Sequence, residues 1–124
     1  MKQDWELIRK ILVATEEQPP RGSPDVNTIA ADVGCSHNEV VGHIEMLSDA
    51  GYLKARIIRG STGADQDGVM ILGITMPGYD LLKNLRNATV WGKIKSIAKD
   101  KGLDITLDAI KIIGPTAIKF IAGG

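Results

Sequence analysis

The sequence predicts a mainly α-helical α+β chain in which three helices lead into a β-hairpin and further helices follow. Three observations carry this expectation. Apolar residues recur at helical spacing from Trp5 onward. A Gly34-Cys35-Ser36 turn separates two short stretches of the same period. After Gly51 the period changes, and two runs rich in β-branched and apolar residues flank a Gly/Asp-rich segment.

Local chemistry justifies each element in turn. A first helix is expected over 4–18, where Trp5, Ile8, Leu12 and Thr15 form a stripe widened by Leu7, Ile11 and Ala14. Asp4 caps it and Pro19-Pro20 stops it. A second helix, 26–33, turns Ile29, Ala30 and Val33 inward and ends at Gly34, which accepts left-handed backbone. Ser36 stands three residues before Glu39, the spacing of a capping box, at the head of a third helix over 37–50. Val40, Ile44, Met46 and Leu47 supply its buried face, with Val41 near its start. Extended runs follow at 52–58 and 69–75, with a loop over 59–68. Thr75 caps a fourth helix that holds Pro77 in its first turn, where proline is tolerated. Asn87-Ala88-Thr89 reads as a break or kink before a helix over 90–101 that Gly102 ends. A last helix over 106–122 is expected to kink or break at Gly114-Pro115.

Composition bounds the function. Hydrophobic residues make up 44% of the chain and charged residues 24%, values that suit a folded globular domain and not a disordered one. Cys35 is the single cysteine and has no partner for an internal disulfide, so a reducing, cytoplasmic setting is expected. Charges at Arg9 and Lys10 leave no apolar core for a signal peptide. Asp108, Lys111, Gly114-Pro115 and Lys119 interrupt the apolar stretch 105–122, so no membrane span is expected. Net charge is zero but unevenly spread. Residues 1–76 hold 7 Lys/Arg and 11 Asp/Glu, and residues 77–124 hold 8 and 4. Nucleic-acid binders usually carry a basic excess, so phosphate contacts are expected to draw on the second half.

Three helices and then a hairpin is the order of a winged helix-turn-helix, here with a C-terminal helical extension; the domains are read as 1–86 and 87–124. In DNA-binding versions the third helix enters the major groove by its N-terminal end. The residues there are Ser36, His37, Asn38 and, further in, Val41. Ser, His and Asn side chains can hydrogen-bond bases or phosphates. Alternation puts Lys54 and Arg56 on one face of the wing, and with Arg59 they are the candidate grip on the DNA backbone. Asp65 and Asp67 oppose this, and no Lys or Arg stands between His37 and Tyr52. Lys93, Lys95 and Lys99 form a second candidate set for phosphate, or for an anionic lipid surface. Ile110, Ile113, Ala117, Ile118 and Ile121 make an apolar stripe expected to fold back or to pair two copies, as a homodimer on a palindromic site requires.

The chain opens Lys2-Gln3-Asp4-Trp5-Glu6-Leu7-Ile8-Arg9-Lys10-Ile11-Leu12 and continues with His43-Ile44-Glu45-Met46-Leu47-Ser48-Asp49-Ala50-Gly51-Tyr52-Leu53. Further along come Ile74-Thr75-Met76-Pro77-Gly78-Tyr79-Asp80-Leu81-Leu82 and the run from Arg86 through Val90-Trp91 to Lys93-Ile94-Lys95. In the order of these motifs, over roughly residues 2–100, the chain resembles a family of small uncharacterised proteins of bacteria and their phages. What the resemblance implies is a winged-helix domain of unknown function, common in prophages, with no catalytic residues to carry over.

No enzyme and no cofactor are expected. Neither a Ser/His/Asp nor a Cys/His arrangement has its supporting motif. Gly60-x-x-Gly63 lacks the Lys-Ser/Thr and helix of a phosphate loop. His37 and His43 stand six apart, unlike paired metal ligands on one helix, and read as solvent-facing. Trp91 reads as core from its spacing to Ile94 and Ile97. Two functions are therefore expected: a homodimeric regulator that binds double-stranded DNA, or a module that docks a protein partner on the same scaffold.

Overall fold

A computed structural model describes residues 3–58 and 68–122, the last three of these as backbone only. The elements are α1 (Trp5–Glu16), α2 (Val26–Val33), α3 (His37–Asp49), β1 (Leu53–Ile58), β2 (Gly68–Ile74), α4 (Met76–Arg86), α5 (Ala88–Asp100) and α6 (Leu107–Ala122). This is a mainly helical α+β chain with one two-stranded antiparallel sheet among the described residues. It divides into two compact units, Met1–Tyr79 and Asp80–Gly124, the division falling inside α4 and ahead of the boundary expected at 86.

In the first unit the helices start where short polar side chains can take up unpaired backbone N–H groups. Asp4 accepts from the N–H groups of Glu6 and Leu7, and Asp25 from that of Asn27. Ser36 Oγ accepts from Glu39 N at 3.1 Å. The reciprocal half of the capping box differs from expectation, because the Glu39 carboxylate receives the Ser36 hydroxyl at 3.2 Å. Gly34 ends α2 at φ 81°, the left-handed turn that lets α3 leave in a new direction. Leu7, Ile8, Ile11 and Leu12 of α1, Ile29 of α2, and Val40, Ile44 and Leu47 of α3 are all buried. Burying such side chains contributes roughly 1.5–3 kcal/mol each, so this cluster is the main stabilising term of the unit.

The hairpin closes this core with one face. Leu53 and Ile71 are buried, while Lys54, Arg56, Ile58, Met70 and Leu72 are exposed. Arg56 pairs with Met70 and Ile58 with Gly68. The register shifts between Lys54 and Ala55, whose partners are Gly73 and Ile71, so Leu72 is the extra residue of a bulge. Such an insertion re-aims a side chain, and Leu72 stands 58% exposed. On its other side β2 meets the loop before α2: the Ile71 N–H donates to Ser23 Oγ at 3.0 Å.

In the second unit Asn87 does more than kink a helix. Its side chain accepts from Thr89 N and Val90 N, ending α4 and capping α5. Gly102 at φ 65° follows α5. Trp91 is buried, as its spacing predicts. Of the kink or break expected at Gly114-Pro115, the break is absent: α6 is one continuous helix with Pro115 inside it. Proline leaves the Lys111 carbonyl without its helical donor, but Lys111 and Pro115 are both exposed, so water can serve it.

Gly114 has a packing reason. A Cβ there would sit 2.6 Å from Oδ1 of Asn84, a side chain only 9% exposed whose Nδ2 donates to Asp80 O at 3.1 Å. Gly114→Ala is therefore expected to cost about 1–3 kcal/mol by overpacking. Gly92→Ala, where a Cβ meets nothing within 4 Å, is expected to stabilise α5 by roughly 0.5–1 kcal/mol. Urea denaturation of the two variants checks the contrast; equal effects would remove the packing role of Gly114.

Candidate nucleic-acid interface

Seven residues are candidates for DNA, and the structure separates them. Ser36 is exposed, but its hydroxyl is engaged at both ends of the Glu39 contact that starts α3. His37 is half-buried and donates from Nδ1 to Asn27 Oδ1 at 3.0 Å, which ties the head of α3 to the head of α2. Asn38 is exposed in the first turn of α3. Val41 is not a surface residue: at 4% exposure it belongs to the core, because it shares the buried side of α3 with Val40 and Ile44. Lys54 and Arg56 are both exposed, on the outer face of β1. Arg59 lies outside the described residues.

Ion pairing separates the helix cations of the first unit from the two of β1; Arg21, in the loop before α2, is likewise in no ion pair among the described residues. Elsewhere in the first unit Lys10 is paired with Asp32 at 3.2 Å and Arg9 with Glu6 at 3.8 Å. Among the described residues neither Lys54 nor Arg56 is held in an ion pair. The solvent-facing side of α3 is polar and acidic along its length, with Asn38, Glu39 and Asp49 exposed and Glu45 half-buried.

His43 overturns its solvent-facing reading. It is 1% exposed, with Nε2 accepting from the Asp4 backbone N–H at 3.0 Å and Nδ1 donating to the Glu39 carbonyl oxygen at 2.8 Å. Only the tautomer with its proton on Nδ1 satisfies both contacts. The sequence held the signal, since position 43 falls between Val40 and Leu47 on the buried stripe of α3. Burial pushes the Cys35 thiol above its ordinary range, and the carboxylates of Glu39 and Asp4 add to this, which disfavours a reactive thiolate.

The second unit holds the remaining candidates. Lys95 lies over the Trp91 ring at 5.7 Å, Lys99 is exposed and Lys93 half-buried. Ile110, Ile113 and Ala117 are not open for pairing with a second copy: they are 1%, 5% and 0% exposed. The physical reason is that α6 packs along α5 and spends that stripe inside its own unit. Ile118 remains 37% exposed, and the Ile121 side chain lies outside the described residues. No helix among the described residues is long and apolar enough to cross a membrane.

Residues 2–104 match a family model described as Hypothetical protein (DUF2513). The chain belongs to the DUF2513 family. A relative from Haemophilus influenzae, described as an uncharacterized protein, is 36% identical over 121 residues, covering 95% of this chain and 96% of its own length. The likeness therefore extends past residue 104 through most of α6. No solved structure matches the chain.

Proposed function

We propose that this DUF2513 protein is a winged-helix DNA-binding protein, a small transcriptional regulator of the phage and prophage type that acts as a homodimer. One observation carries the reading. The order α1-α2-α3-hairpin leaves Asn38 exposed at the head of α3, and it leaves Lys54 and Arg56 side by side on the outer face of the wing. On this reading Asn38 reads a base edge and the two cations hold phosphates. Dimerisation then uses what α6 leaves exposed, Ile112 and Ile118, since Ile110, Ile113 and Ala117 are covered.

The test is fluorescence anisotropy with random-sequence duplex DNA over a salt series, with light scattering on the same sample. Salt-sensitive binding by a dimer is the expected result. Replacing Lys54 and Arg56 together by Ala should lower the salt slope by about 2, roughly 1 for each phosphate no longer neutralised. Absence of binding at low salt, or an unchanged slope in the double variant, would sink the assignment.

A further inference from the structure

We infer that the outer face of the β1–β2 hairpin docks an acidic, amphipathic segment of a protein partner. Five side chains make this face: Lys54, Arg56 and Ile58 from β1, Met70 and Leu72 from β2. An antiparallel pair with one face on a core normally alternates apolar-in with polar-out. β2 breaks that rule. Val69-Met70-Ile71-Leu72 is apolar at every position, yet Met70 is 50% and Leu72 58% exposed; across the ladder Ile58 is 60% exposed. Register brings them together, because Met70 lies directly opposite Arg56 and diagonal to Ile58. The bulge adds Leu72 to the same side.

Charge decides the occupant. Among the described residues the face holds two cations and no carboxylate, so a complementary surface offers apolar side chains flanked by Asp or Glu. A second copy fits badly: the same patch facing itself across a two-fold would enclose four cations with no counter-charge from the described residues. Duplex phosphates would satisfy Lys54 and Arg56 but give Ile58, Met70 and Leu72 nothing apolar to meet. Met70, unbranched and adaptable, suits a surface that must shape itself to a docked chain. This inference stands apart from the DNA reading, although Lys54 and Arg56 are common to both, so one copy would not hold both ligands by these cations at once.

The test is an NMR titration of the labelled full chain with a synthetic twelve-residue peptide of alternating Leu and Asp. Two controls are a Leu/Lys peptide of reversed charge and a Ser/Asp peptide without apolar residues. Expected are shifts confined to β1 and β2, and affinity at least about tenfold above either control. A Met70→Ser/Leu72→Ser variant, altered only at exposed positions and checked by an unchanged melting curve, should weaken the Leu/Asp peptide by about tenfold while keeping any salt slope on duplex DNA. No binding of the Leu/Asp peptide overturns the inference, as do equal binding of the controls, shifts elsewhere, or an indifferent double variant. Perturbation of Met70 and Leu72 by duplex DNA alone would hand the face to nucleic acid. Loss of DNA binding with peptide docking intact would end the regulator reading and leave this one standing.

Discussion

Gly78→Ala is expected to destabilise the protein by about 3 kcal/mol or more, because overpacking against backbone cannot be relieved by a rotamer change. A Cβ at Gly78 would strike the Tyr52 carbonyl oxygen and lie 2.6 Å from Ile74 Cγ2. That carbonyl already accepts the Thr75 N–H at 3.3 Å, and Thr75 Oγ1 both donates to Gly51 O and accepts from Gly78 N. The first turn of α4 is thus laid directly on the strand entry, and only a residue without a side chain fits between them. Neither backbone can withdraw without breaking these bonds. Thermal unfolding should show a fall of roughly 12 °C or more. Gly73→Ala, in the same hairpin with nothing within 4 Å of its Cβ, is the control and should change little. If both variants melt alike, the close approach at Gly78 is not what constrains the position.

The second large effect belongs to His43. Its ring is the partner of the Asp4 backbone N–H, and Asp4 is the residue that caps α1. One side chain on α3 therefore fixes where α1 begins, across 39 positions of sequence. His43→Ala should cost about 2–4 kcal/mol, combining a cavity with an orphaned buried donor. His43→Leu refills the volume but not the bond and should still cost about 1–3 kcal/mol. His43→Gln, whose Oε1 can stand where Nε2 stands, should recover part of the loss. Urea denaturation orders the three, and hydrogen exchange at the Asp4 amide reads the bond itself. A leucine variant as stable as the parent would mean that the hydrogen bond contributes nothing.

Where structure is set within a few residues of chain, the sequence is readable. The caps at Asp4 and Ser36, the left-handed Gly34, the end of α5 beside Gly102 and the two strands all follow from neighbouring side chains. Features that need two distant segments are not. Gly78 looks like an ordinary helix start beside Pro77, because Tyr52 is 26 residues away in sequence. Gly114-Pro115 suggests a break, because nothing local reveals Asn84 beside Gly114. His43 is misplaced because the buried arc of α3 is wider than its apolar spelling and takes in a histidine whose polarity is fully answered; Val41 belongs to the same arc and cannot also face a groove. Of the candidate DNA residues, alternation places Lys54 and Arg56 rightly on one strand face. A hydrogen bond from the head of α2 decides the state of His37, whereas Ser36 is engaged locally by Glu39.

The bulged strand has a consequence for how folded copies of the chain meet. Val69–Ile74 is six residues of high β-propensity without charge or proline, the composition of a self-stacking fibril segment. In the native hairpin Ile71 is buried, while Met70 and Leu72 lie exposed on the face that carries Lys54 and Arg56. Those two cations act as gatekeepers, since copies that stack through this strand must bring like charges together. The irregular register at Leu72 works in the same direction by spoiling the flat edge that templated growth requires. Once the hairpin has formed, the residues proposed to greet a partner thus also keep one copy from pairing with another.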